Sequence, residues 1–105
     1  MAIRAEQINL VEAVGYQDGA VVSKTLVDKK AGTITLFAFA AGQGLSEHTA
    51  PFDALVQVVD GEAKVTVDGV DYLVKAGEMI IMPANYPHSL AAESPFKMVL
   101  VMIRA

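Results

Sequence analysis

From residue 20 onward the chain breaks into short runs in which apolar and polar side chains alternate, with Gly, Asp, Asn or Pro between the runs. Ala63, Val65 and Val67 alternate with Glu62, Lys64, Thr66 and Asp68, a period of two that gives one dry and one wet face and so predicts a strand. The same reading predicts strands at 20–27, 33–40, 46–50, 54–60, 62–68, 70–74, 78–82, 87–91 and 96–103. Strands this short and this closely spaced are the mark of an all-β sandwich or barrel. Asp60-Gly61 and Asp68-Gly69 each stand between two runs, and Asp-Gly suits turns whose central residues need positive φ, so two consecutive tight hairpins are expected. Between residues 5 and 14 the apolar positions Ile8, Leu10, Val11 and Val14 suit a short N-terminal helix or an edge strand equally.

Composition narrows what such a barrel can be. The 105 residues allow one ordinary core, and no linker, repeat or low-complexity tract divides them, so 1–105 reads as a single domain. At 53% hydrophobic and 19% charged the chain is built to fold, with some apolar surface to spare for a partner. The longest apolar runs, 79–82 and 98–103, are far too short to span a bilayer. Residues 1–10 carry Arg4, Glu6, Gln7 and Asn9 and lack the pattern of a signal peptide, so a cytoplasmic address is expected. A net charge of −4 with scattered Lys and Arg argues against nucleic acid. With no cysteine, disulfides, thiolate metal sites and cysteine nucleophiles are excluded.

Two spaced patterns carry the remaining information. The first, over 42–61, is Gly42, five residues, His48, one residue, Ala50, three residues, Ala54, six residues, Gly61. The second, over 77–92, is Gly77, five residues, Pro83, Ala84, Asn85, two residues, His88, three residues, Ala92. Together they resemble the two motifs of the cupin superfamily, in the form found in small single-domain microbial cupins. The resemblance implies a double-stranded β-helix, the jelly-roll barrel. Asn85 stands where the family usually has glycine, a substitution the left-handed backbone region tolerates.

In the family, metal is held by two histidines flanking one residue, then a glutamate or histidine, then the histidine of the second motif. Here those positions read His48, Ala50, Ala54 and His88. Half of the set is replaced by alanine, yet the only two histidines of the chain both fall on ligand positions. His48 and Ala50, two apart on a strand, should face the cavity together, with His88 arriving from the other motif. Glu47 and Asp53 adjoin motif positions but alternate to the other face, and only a bulge near Pro51 would turn Asp53 inward.

Three readings of His48 and His88 follow. They hold a divalent metal weakly, as imidazole suits zinc, copper, nickel and iron, with manganese a further candidate. They are remnants satisfied by water or a carbonyl. Or one of them serves as a metal-free general acid or base, as in sugar epimerases of the cupin type. Met79, Met82, Met98 and Met102 could line an adaptable cavity, although methionines and the four phenylalanines at strand spacing are more often ordinary core.

The resulting expectation is a small-molecule-binding cupin barrel with a two-histidine cavity site. A metal-dependent dioxygenase, isomerase or lyase and a non-catalytic sensor or partner module are the alternatives. A homodimer is also expected, from the resemblance and because Leu55, Gln57 and Val59 oppose Ala54, Val56 and Val58, leaving both faces of that strand to be covered.

Overall fold

The protein, described here by a computed structural model over residues 4–104, is all-β, with nine strands and no helix among the described residues. Residues 1–3, which include the start of the stretch considered for a signal peptide, and residue 105 lie outside the described part. The strands are β1 (Val21–Lys29), β2 (Gly32–Phe39), β3 (Gly44–His48), β4 (Asp53–Asp60), β5 (Glu62–Val67), β6 (Val70–Lys75), β7 (Met79–Met82), β8 (His88–Ala91) and β9 (Phe96–Ile103). They form two antiparallel sheets, one in the order β1-β2-β9-β4-β7 and the other β3-β8-β5-β6.

Alternation decides what lies between the sheets. Ala54, Val56 and Val58 of β4 meet Ala63 and Val65 of β5 in a buried core that also holds Phe39 and Phe96. The two phenylalanine rings stack at 4.6 Å with 12° between their planes, a contact made by cross-strand partners on β2 and β9.

Only one of the two Asp-Gly pairs makes the expected hairpin. Asp68 and Gly69 have φ of 49° and 78°, and Val67 pairs directly with Val70 across a two-residue turn. At Asp60-Gly61 only Gly61 has positive φ, and β4 and β5 belong to different sheets, so this pair is a corner that hands the chain from one layer to the other. At this corner β4 shifts register between Val58 and Asp60 against β9, and residue 61 has to be glycine, since a side chain there would strike the Pro95 carbonyl and Phe96.

The segment expected as a short helix or edge strand is a single turn. The Asn9 side chain accepts from the backbone N–H groups of Val11 and Glu12, and Ala13 N–H donates to the Asn9 carbonyl, after which Gly15 follows. This turn lays Ile8, Leu10, Ala13 and Val14 over the outer face of the five-stranded sheet, against Leu36, Ala38 and Val99. Lys97, 8% exposed, donates to the Val11 carbonyl and sits over the Tyr16 ring, while Tyr16 O–H donates to Asp60. Part of the apolar outer face is therefore covered by the chain itself, which the sequence reading had assigned to a second subunit. No helix among the described residues is long and apolar enough to cross a membrane.

Candidate ligand and metal site

The two histidines meet because β3 carries one residue more than its partner requires. Leu45 pairs with Leu90, and after a bulge His48 pairs with His88; an unbroken ladder would have set Glu47 opposite His88. Ser46 and Glu47 share the extra length. Leu45 and His48, three apart and thus on opposite faces of a regular strand, here line the same cavity.

Each imidazole is clamped in the same way. His48 Nδ1–H donates to the Ser46 carbonyl at 2.9 Å, and His88 Nδ1–H donates to the Tyr86 carbonyl at 3.2 Å, in both cases two residues back. With Nδ1 carrying the proton in both rings, both Nε2 atoms present lone pairs, and these face each other at 3.0 Å. The rings stand at 70°, centroids 4.3 Å apart. Such a pair accepts one electrophile between its nitrogens. His48 is exposed at the rim while His88 is buried, and burial pushes the His88 imidazole below its ordinary value, outweighing the Tyr86 carbonyl; charge on His48 pushes it lower still. The pair is thus suited to one positive charge and not to two.

The cavity behind the pair has a volume of about 40 Å³, room for an ion or a few atoms. Its walls are apolar, with Leu45, Phe52, Leu90 and Leu100 among the side chains that line it with the histidines. Ala50 and Ala54 line it as the motif spacing predicts, Ala50 just beyond the end of β3. Met82, Met98 and Met102 also line it, whereas Met79 does not: its register partner Gln57 lies on the outer face, and Met79 is 52% exposed. Asp53 stays outside too, accepting a hydrogen bond from Ala84 N–H at 2.9 Å and so fastening β4 to the turn after Pro83. Asn85 takes φ of 69° in that turn, as expected of the residue standing for glycine, and donates its N–H to the Ala50 carbonyl. The carbonyls of Ser46 and Tyr86 are the working groups that the sequence did not reveal, since neither follows from side-chain pattern.

A family model of the cupin domain matches residues 35–104, well over half of the chain. The chain belongs to the cupin family. Among solved structures, this cupin is similar to a conserved protein of unknown function from Streptococcus pyogenes, at 35% identity over 99% of this chain and 91% of that one, TM-score 0.92. It is also similar to a cupin 2 conserved barrel domain protein from Leptotrichia buccalis, at 48% identity over 92% of this chain, TM-score 0.90, where it spans only 47% of the other. A cupin superfamily protein from Desulfitobacterium hafniense shares 25% identity over 97% of this chain and 94% of that one, with a TM-score of 0.90. Among curated proteins nothing matches.

The four-ligand divalent centre that the family implies does not fit these residues. Two imidazole nitrogens are available, Ala50 and Ala54 offer no donor, and among the described residues no three His, Asp or Glu side chains are grouped to hold a metal. A zinc site wants three or four protein ligands, and a non-haem iron site wants a carboxylate beside its two histidines.

Proposed function

We propose that this cupin is a binding protein whose cavity takes one small ligand and anchors it on the paired Nε2 lone pairs of His48 and His88. The observation that supports the reading is the 3.0 Å approach of two nitrogens whose rings are both oriented by backbone carbonyls. Neutral lone pairs at that distance repel, and a donor hydrogen or a cation between them relieves the repulsion. Among the described residues no Asp or Glu lines the cavity to orient a ring or return a proton, which favours binding over the acid–base and metal-enzyme alternatives. The cytoplasm is the compartment we propose for it.

Groups acting as a unit are non-additive. His48→Ala and His88→Ala, measured by calorimetric titration and by melting with and without added metal, are each expected to abolish most binding, the double variant adding little. Small, independent stability losses with binding untouched would identify the pair as remnants and sink the reading. A wild type that gains no thermal stability from any metal tested would confine the ligand to uncharged donors, since whatever binds only the native state raises its apparent stability.

We also propose that the cupin is a homodimer, through the part of the outer sheet face that its own N-terminal turn leaves bare. Ile81 is 64% exposed, Met79 52% and Ile103 55%, and with Leu55 and Gln57 they make a largely apolar strip along β7, β4 and β9. Strand β7 ends the five-stranded sheet, so its outer backbone edge is open as well. The chain is acidic overall, but along this strip the carboxylate of Asp53, the register partner of Ile103, stands at one end and is engaged by the Ala84 N–H, so a two-fold contact can place the apolar part against itself. Light scattering at micromolar concentration should return twice the chain mass, and Ile81→Lys should return one; a wild-type monomer would overturn the dimer.

A further inference from the structure

We propose that His48, His88 and the thioethers of Met82 and Met102 form a site for a soft monovalent metal ion, cuprous copper first. This rests on the binding reading above and specifies the class of ligand. The carrying observation is the register around Ala54, which pairs with Met82 on β7 and with Met102 on β9 at once. Directly opposed side chains on one sheet face have Cβ atoms about 4.5–5.5 Å apart. The position where the family's carboxylate would stand is thus a small alanine bracketed by two methionines, and all three line the cavity of the histidine pair.

The donor set has a definite preference. Neutral imidazole together with thioether sulfur selects cuprous copper, whereas carboxylate and water suit the harder divalent ions. The walls are otherwise apolar, and the cost of burying an ion grows with the square of its charge, so a monovalent ion with neutral ligands is far less penalised than a divalent one. Zinc asks for four ligands, while a cuprous ion is content with two or three. Methionine is unbranched and flexible enough to bring its sulfur to an ion on the histidine pair.

Distances allow it. Two metal–nitrogen bonds of about 2.0 Å enclosing about 110–120° hold their nitrogens about 3.3–3.5 Å apart. The Nε2 atoms stand at 3.0 Å, a few tenths of an ångström closer, and His48, exposed at the rim, is the ring that would shift to make up the difference. The cavity of about 40 Å³ accepts an ion and little else.

The test is an anaerobic competition of the whole protein against a chromophoric cuprous chelator, with silver as a redox-silent stand-in and zinc as the hard contrast. The variants are Met82→Leu with Met102→Leu, Met102→Leu alone, and His48→Ala with His88→Ala, with folding checked by thermal melting. The wild type should bind one cuprous ion more tightly than zinc, and X-ray absorption should show a sulfur neighbour. The methionine variants should lose cuprous and silver affinity by at least roughly tenfold, the lower range for losing even an outer-shell partner, while zinc binding stays put. Met102 is only half-buried, so its single substitution leaves a folded protein to measure if the double variant does not fold. Unchanged cuprous affinity in a folded methionine variant, or tighter zinc than copper in the wild type, would overturn the soft site and leave the histidine pair as a ligand anchor. Histidine variants that bind every ion as the wild type does would overturn the anchor itself.

Discussion

Ala50→His combined with Ala54→Glu should raise the affinity for zinc or nickel by roughly a hundredfold or more, because it supplies the two donors that a four-ligand divalent centre lacks here. Both alanines already line the cavity with His48 and His88, so no backbone movement is asked of the sheet. The cost falls on the metal-free variant. Ala54 is 6% exposed between Met82 and Met102, and a glutamate there is a buried acid without a partner, worth a loss of about 1–3 kcal/mol. The variant should therefore melt below wild type without metal and above it with metal, a reversal that calorimetry with and without a chelator reads directly. Its preference should also turn from soft monovalent ions to divalent ones, since a carboxylate enters the donor set. A folded double variant with an unchanged divalent titration would mean that residues 50 and 54 do not surround the same point as the histidines.

The second large effect is expected at Gly61. Gly61→Ala combines two penalties, a left-handed backbone at φ 74° and a methyl group driven into the Pro95 carbonyl and Phe96. The first costs about 1–2 kcal/mol for a residue with a side chain and the second about 1–3 kcal/mol as overpacking, so a loss of about 2–5 kcal/mol is expected in urea unfolding. Gly69→Ala is the internal control. Gly69 has nearly the same φ, 78°, but nothing lies within 4 Å of the added methyl, so only the backbone penalty applies. Equal losses at the two positions would show that the sheet corner has no steric requirement.

This contrast also shows where the sequence is readable and where it is not. All nine strands are legible because each either alternates or is a short apolar run, as at 79–82 and 98–103, bounded by turn residues, information that is local. Asp60-Gly61 and Asp68-Gly69 are indistinguishable as dipeptides, and what differs is their surroundings: the first joins two sheets and lies against Pro95 and Phe96, more than thirty residues away. The N-terminal segment fits the same limit. The spacing of Ile8, Val11 and Val14 suits a helix, but Asn9 starts the turn and Gly15 soon follows it, and Val11 remains 41% exposed while Leu10 packs. At the site, the spacing of His48, Ala50, Ala54 and His88 is enough to place four residues around one cavity. The methionine pair is hidden from it, because the bracket around Ala54 depends on which residues of β7 and β9 lie opposite, and strand register is not written in either strand alone.

The bulge in β3 has a chemical meaning beyond bringing two rings together. Ser46 falls in the stretch without a register partner, and its oxygen is turned back to the His48 ring. The main chain thereby chooses the tautomer of His48, and with it which nitrogen is basic toward the cavity. Because the selecting atom is a backbone oxygen, replacing the side chains of Ser46 or Glu47 leaves the choice in place. Shortening the strand is different in kind: without Glu47 the register from Leu45 and Leu90 would run unbroken to a histidine opposite His88, and the extra length that folds the Ser46 carbonyl back onto the ring would be gone. In this barrel the tautomer of the rim histidine is encoded by chain length, one residue of it, while that of its buried partner is set by the Tyr86 carbonyl.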